Sequence, residues 1–286
     1  MIARHCSPES RPPRRGLLNH RPKRSLGQNF LIDPNLQRRV VETIRPAADD
    51  EVLEIGPGRG ALTRHLADRV RRLVLIEKDD DLAARLREEF AASPGVEVVN
   101  ADVLEVPLER ITDRIAALKV IGNIPYNITT PILFALLERR PRPREIALMV
   151  QCEVAERIVS EPGSRGYGAL SIGVQAVADA ELVLRVGRKA FRPVPKVESA
   201  VVRIVPHAPP RLSPQREAAL RHLTRTAFGK RRKQFQRILR DDYGLDAAAV
   251  GELEAELGVD LRARPEMLSP PQFGELSRAL TDRATS

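Results

Sequence analysis

Cysteine is scarce in this chain of 286 residues. Only Cys6 and Cys152 are present, so no disulfide framework exists, and the sequence fits a reducing, cytoplasmic setting. Tryptophan is absent and aromatics amount to 3%, which argues against an aromatic platform for long single-stranded nucleic acid. The five histidines lie far apart without metal-ligand spacing, and we expect no metal. No apolar run reaches the roughly 20 residues of a membrane helix, and no apolar stretch follows the start, so neither a membrane span nor a secretory signal is expected. Basic residues exceed acidic ones by nine, 47 against 38, and only seven of the 47 are lysine. An arginine-rich excess suits phosphate recognition, and a solvated arginine surface gives the same count. Residues 1–22 are rich in Arg and Pro. Pro12, Pro13 and Pro22 break the continuous helix that a transit peptide uses, and a disordered basic arm is expected there.

From residue 50 the pattern alternates short apolar runs with helical stretches. Strands are expected at 51–55, 73–76, 96–99, 118–121 and 146–150. Helices are expected at 61–69, 79–91 and 132–137. This alternation implies a parallel sheet wrapped by helices, with every strand's C-terminal end along one edge. Two further strands, 182–186 and 200–205, lack a long helix between them and predict a hairpin closing the sheet with the last strand antiparallel. Four prolines between 206 and 214 place a domain boundary there. Beyond it, 215–227, 230–242, 246–257 and 270–282 read as helices.

The strand-end edge carries the chemistry. Gly56, Gly58 and Gly60 follow the first strand, where glycine permits a tight turn and close approach of a ligand to the backbone. Glu77 ends the second strand, 21 positions after Gly56, as a carboxylate for ribose hydroxyls, and Asp102 ends the third, at an adenine edge. The spacing is not the dinucleotide fingerprint. Arg59 and the early Gly60 leave open whether the ligand carries a pyrophosphate. After the fourth strand comes Asn123-Ile124-Pro125-Tyr126. Methylating an adenine amino group requires two acceptors on its N–H bonds, to localise a lone pair otherwise delocalised into the ring. The Asn123 side-chain carbonyl supplies one. The Ile124 backbone carbonyl supplies the other, because Pro125 biases Ile124 to extended backbone. Tyr126 offers a face for a flipped base. Catalysis is then positioning plus oriented dipoles, without a general base. As a bare sequence, Asn-x-Pro-Tyr is also ordinary turn chemistry.

Seven segments, at 23–31, 54–60, 123–126, 151–157, 162–168, 191–200 and 227–233, resemble in order those of the small-subunit ribosomal RNA adenine N6,N6-dimethyltransferase family. The resemblance implies an α/β fold. A Rossmann-like class I methyltransferase domain with a mostly parallel seven-stranded sheet spans 23–207, and a small all-helical C-terminal domain with RNA contacts spans 208–286. It further implies S-adenosylmethionine as methyl donor, 16S rRNA in a small-subunit precursor as partner and a role in subunit biogenesis; a monomer is the default expectation. Carried over residue by residue, Asn29, Leu31, Gly56, Glu77, Asp102 and Asn123 contact the cofactor. Asn123, Pro125, Tyr126 and Phe191 form the catalytic set, with Phe191 a second aromatic against the base. Lys230, Arg231, Arg232 and Lys233 belong to a basic helical run that contacts RNA phosphates, while Phe228 and Phe235 anchor that helix to the core. Ile124 replaces a frequent Leu without moving the backbone carbonyl. Cys152 stands where a charge is frequent and reads as a small half-buried residue. The related large-subunit adenine methyltransferases share the glycine, Asn-x-Pro-Tyr and Phe-x-Pro-x-Pro-Lys motifs.

Overall fold

The structure, a computed structural model, describes residues 22, 23, 26–230 and 232–284. The arm expected at 1–22 therefore lies outside the described residues apart from Pro22, as does Arg231.

A two-residue strand β1 (Phe30–Leu31) leads into helix α1 (Pro34–Glu42). Asp33 caps α1 by accepting from the amides of Asn35 and Leu36, and Pro34 occupies its first turn, where a missing N–H costs nothing. Then follow β2 (Glu51–Ile55), α2 (Thr63–Leu66), β3 (Arg72–Glu77), α3 (Asp80–Glu89), β4 (Val96–Asn100), β5 (Lys119–Asn123), α4 (Thr129–Leu137) and β6 (Glu145–Gln151). Helices α5 (Cys152–Ile158) and α6 (Ala169–Gln175) precede β7 (Ala178–Val186), β8 (Phe191–Arg192) and β9 (Ser199–Pro206).

Seven strands form one sheet in the order β4-β3-β2-β5-β6-β9-β7. All neighbours are parallel except β9, which runs antiparallel between β6 and β7. The central strands are apolar on both faces because both faces are covered. Leu53 and Ile55 pack with Val74, Val120, Ile132 and Leu148, whereas Val52, Leu73, Leu75 and Ile121 pack with Val41, Leu66 and Leu86 on the other side. The chain turns one way from β2 to β3 and the other way to β5. The crevice beyond the C-terminal ends of β2 and β5 is therefore the topological switch point where such sheets bind ligands. Gly122 keeps these two strands close: a Cβ there would stand 2.6 Å from the Ile55 carbonyl oxygen.

All seven expected strands are present and the last is antiparallel, but it inserts between its predecessors instead of extending the edge. The expected helix at 61–69 contracts to Thr63–Leu66. Helices α7 (Pro214–Gly229), α8 (Phe235–Tyr243), α9 (Ala247–Leu257) and α10 (Pro270–Ala284) share a core with Tyr167 and Ile172, and the Tyr167 hydroxyl donates to the Leu268 carbonyl at 2.8 Å. Two arginines before β6, Arg140 and Arg142, reach buried Glu217 on α7 and tie the sheet to these helices.

The described residues of the basic run are not helical: α7 ends at Gly229 with Lys230 as its cap, Arg232 and Lys233 lie outside any helix, and α8 begins only at Phe235. The amides of Phe235 and Gln236 donate to the carbonyls of Ala263 and Leu261, 2.9 and 2.7 Å away, and the Phe235 ring is fully buried against Phe273. Tertiary burial of Phe235 thus sets the start of α8. Phe228 stacks on Phe273, so both phenylalanines anchor helices as expected.

Candidate active site

A cleft opens at the switch point, lined by residues 26–31 from the N-terminal segment, 54–59, 61 and 62 from the first turn, Glu77 and Lys78, 101–103, and 123–128. Every cofactor position expected from the sequence lies on it: Asn29, Leu31, Gly56, Glu77, Asp102 and Asn123. Pro125 and Tyr126 lie on it as well.

The floor is the glycine turn. Gly56, Gly58 and Gly60 have φ of 65°, 58° and 71°, a left-handed region in which a side chain is strained. The Glu77 carboxylate, buried at the end of β3, accepts from the Gly58 amide (2.9 Å) and from the Asp79 amide (2.9 Å). Burial pushes this carboxyl above its ordinary range, and the backbone donors pull it back. The same group that is expected to meet a ribose therefore also fixes the turn. Asp102 pairs with the Lys78 ammonium at 2.7 Å and accepts from the Leu104 amide at 3.0 Å. The lysine bond holds its carboxyl below the usual carboxylate range.

Asn123 ends β5 beside the first glycine: a Cβ on Gly56 would lie 3.7 Å from the Asn123 backbone oxygen. Its side-chain amide donates from Nδ2 to the Asn29 carbonyl at 3.0 Å. A carbonyl oxygen only accepts, so this bond fixes which end of the amide is nitrogen and leaves Oδ1 as an acceptor at the cleft. The Tyr126 hydroxyl meets the Ser199 hydroxyl at 2.6 Å, which pins the ring by its outer end. Burial raises the phenol's pKa, so it stays protonated.

Phe191 departs from expectation. It sits on β8, paired with Leu31 of β1, and is completely buried among Val201, Val186 and Leu31. It does not line the cleft. A ring enclosed on all sides has no face for a base, so in this conformation its part is to hold β1 in place. Lys230 and Lys233 do not approach the cleft either. Lys230 is paired with Asp242 (2.5 Å) and Lys233 with Asp241 (2.8 Å). Cys152 begins α5 with its thiol 2.7 Å from Arg185 Nη1, off the cleft. Burial raises its pKa, in keeping with an unreactive thiol.

Several cleft residues escaped sequence reasoning. Phe30 stands beneath the Arg59 guanidinium, 4.3 Å from the ring centroid, and touches Gly58. Glu54 is fully buried and accepts from the Thr63 hydroxyl at 2.7 Å, and burial pushes its carboxyl up to about 8. Beside the cleft, Lys23 and Gln28 both reach the Asp79 carboxylate, at 2.8 and 2.9 Å, and Lys23 also meets Asp81 at 2.9 Å, so the N-terminal segment is tied to the start of α3. A buried acid next to a glycine turn was the available signal for Glu54. Nothing in the sequence linked Lys23 to Asp79.

These parts fit S-adenosylmethionine. The glycine turn gives a ligand room against the backbone, two carboxylates end adjacent strands, and Leu31, Phe30 and Ile124 supply apolar walls. A family model described as "Ribosomal RNA adenine dimethylase" matches residues 19–277. The chain is 45% identical over 262 residues to "Ribosomal RNA small subunit methyltransferase A" of Nitratidesulfovibrio vulgaris (strain DP4), covering 91% of this chain and 97% of that one. Among solved structures it resembles a dimethyladenosine transferase from Plasmodium falciparum in fold, with a TM-score of 0.75, 23% identity, and coverage of 89% of this chain and 98% of that one. It also resembles the 23S rRNA methyltransferase ErmE, with a TM-score of 0.70, 31% identity, and coverage of 88% and 99%. With the family match spanning the sheet, the cleft and the helices beyond it, the chain belongs to the ribosomal RNA adenine dimethylase family.

Proposed function

We propose that this chain dimethylates the N6 amino groups of two adjacent adenosines in the 3′-terminal hairpin of 16S rRNA, in a small-subunit precursor, and thereby takes part in subunit biogenesis. The observation that carries the reading is the Asn123 amide. Its nitrogen is committed to the Asn29 carbonyl, so its oxygen is oriented as an acceptor before any substrate arrives. S-adenosylmethionine, when bound, supplies an electrophilic methyl group on sulfur. Residues 56–60, Glu77, Asp102, Asn29 and Leu31 would hold it.

The chain's own groups do the rest. Asn123 Oδ1 and the Ile124 carbonyl accept from the two N6 hydrogens and localise the nitrogen lone pair. Tyr126, anchored on Ser199, presents its ring to the extruded base. The amino proton leaves to solvent after transfer, so no residue need act as base. Similarity to the small-subunit relative at 45% identity, against 31% for ErmE, supports the small subunit as target.

Labelled-methyl transfer to under-methylated 30S and 50S particles, followed by nucleoside analysis, tests this. Dimethyladenosine in 30S rRNA alone is expected. Label confined to 50S particles would transfer the assignment to the large subunit, the reading that the ErmE likeness favours. Tyr126→Ala is expected to lower the rate at saturating cofactor more than it lowers cofactor affinity.

A further inference from the structure

The basic residues of this chain divide by whether their charge is already neutralised. Lys230 and Lys233, in the segment first expected to touch RNA, are each ion-paired to an aspartate of α8. A phosphate binding at either of these two lysines must displace a carboxylate, and the net gain is small. The connection between β7 and β9 is different. Arg188, Lys189, Arg192 and Lys196 are all exposed, and none of the four side-chain charges meets a carboxylate among the described residues. The nearest to a partner is Arg188, whose guanidinium donates to the Lys196 carbonyl at 3.4 Å. Glu198, the acid of this stretch, is exposed, and its backbone carbonyl accepts from the Cys152 amide at 2.9 Å.

The connection also touches the cleft at two points. Within it, Arg192 pairs across the β1–β8 ladder with Phe30, which lines the cleft. Just after it, Ser199 holds the Tyr126 hydroxyl. Its charges are therefore carried on backbone fixed to both the cofactor side and the base side of the site. Val194 and Val197 are exposed on the same stretch, giving apolar surface between the charges.

We infer that the β7–β9 connection is the RNA phosphate-binding edge of the cleft, with Arg188, Lys189, Arg192 and Lys196 gripping the backbone that flanks the extruded adenosine. This rests on the proposed rRNA substrate and names the surface that holds it. The guanidinium groups of Arg188 and Arg192 suit the planar, two-pronged grip on phosphate, and four charges that meet no carboxylate among the described residues bind by counterion release without breaking such a pair. Because the backbone here is fixed to Phe30 and Ser199, strand binding and base placement are coupled.

The test compares two charge variants for binding to under-methylated 30S particles across a salt series. The variant Arg188→Gln/Lys189→Gln/Arg192→Gln/Lys196→Gln is expected to bind at least about tenfold more weakly near 0.1 M salt. Its slope of log affinity against log salt should fall by about 2 to 4, since each lost phosphate contact removes roughly 0.7–0.9. Lys230→Gln/Lys233→Gln should change the slope by less than about 1. Binding of S-adenosylhomocysteine should match the parent chain in both, which reports an intact cleft. Should the fourfold variant lose that binding, Arg188→Gln/Lys189→Gln, which leaves β8 untouched, must still lower the slope. An unchanged slope in the connection variants overturns the inference, as does an equal or larger loss in the Lys230/Lys233 variant. A parent chain that binds 30S particles tightly but transfers no methyl rejects the proposed reaction and leaves this binding edge standing.

Discussion

The two ends of the central sheet treat charge in opposite ways. At the N-terminal end of its strands, Lys119 is buried with its ammonium on Asp50 (2.6 Å) and on the carbonyls of Ile44 and Arg45, both at 2.9 Å. Nearby, Glu51 meets Arg71, Arg72 and Thr112, and Glu145 meets Arg203. Cations and anions cancel there. At the C-terminal end, Glu54 and Glu77 are buried with only hydroxyl and amide donors, and Asn123 is oriented by a backbone carbonyl. Among the described residues no cation forms an ion pair with either carboxyl. One end is closed by mutual satisfaction, and the other holds acceptors in readiness for a ligand. Both ends are built from the same kind of strand, so the difference lies in the loops that face each end.

Removing one partner at the satisfied end should have the largest effect on stability. Asp50→Ala leaves the Lys119 ammonium buried without its counter-charge and is expected to cost about 3–5 kcal/mol in urea unfolding, with cofactor affinity unchanged in the folded fraction. A loss below 1 kcal/mol would erase the contrast between the two ends. Asn123→Ala should do the reverse. It is expected to lower kcat by about 10²–10³-fold, or roughly 3–4 kcal/mol, while the unfolding midpoint stays put. An equal drop in stability would mark Asn123 as a structural residue.

Glu54 sharpens the comparison through pH. In the folded chain it keeps its proton up to about pH 8, whereas an unfolded chain loses it near the ordinary glutamate value of 4.5. The folded state therefore binds more protons between these values, so this group makes stability fall as pH rises from about 4.5 to 8 and contributes no further slope above that. Glu54→Gln should flatten that fall, which unfolding curves at pH 5.5, 7 and 8.5 would resolve. Tyr126→Phe keeps the ring and loses the Ser199 bond, and about 1 kcal/mol of transition-state stabilisation is expected to go with it, read in single-turnover rates. The smallest effect belongs to Lys23→Met, which frees one tie of the N-terminal segment from Asp79. Release of S-adenosylhomocysteine, followed by stopped flow, should quicken by no more than about fivefold, with weaker salt dependence than in the parent chain.

Much of this was legible in the residue order. Strands buried on both faces leave continuous apolar runs, so β2 to β6 stood out, and their ends carried Gly56, Glu77, Asp102 and Asn123. Short pieces held by distant partners did not stand out. Strands β1 and β8 have two residues each and exist because they pair across about 160 positions, and α5 and α6 are too short to show a helical period. Phe191 looked available for stacking because an aromatic beside Arg and Pro gives no sign of its own burial. The run at 230–233 looked helical because its composition allows a helix, and the carbonyls that set the start of α8 lie near residue 262.

Residue order is enough to arrange the chemical groups along the binding edge, because parallel strands deliver their C-terminal residues to one rim whatever the surrounding packing. Packing in three dimensions sets the state of those groups: which way the Asn123 amide points, that the Glu54 carboxyl is pushed up to about 8, and which basic side chains are already spent on an aspartate. Each of these depends on an atom brought close from far along the chain, 94 residues away in the case of Asn29 and Asn123, and electrostatic and hydrogen-bond energies are set by that distance in space.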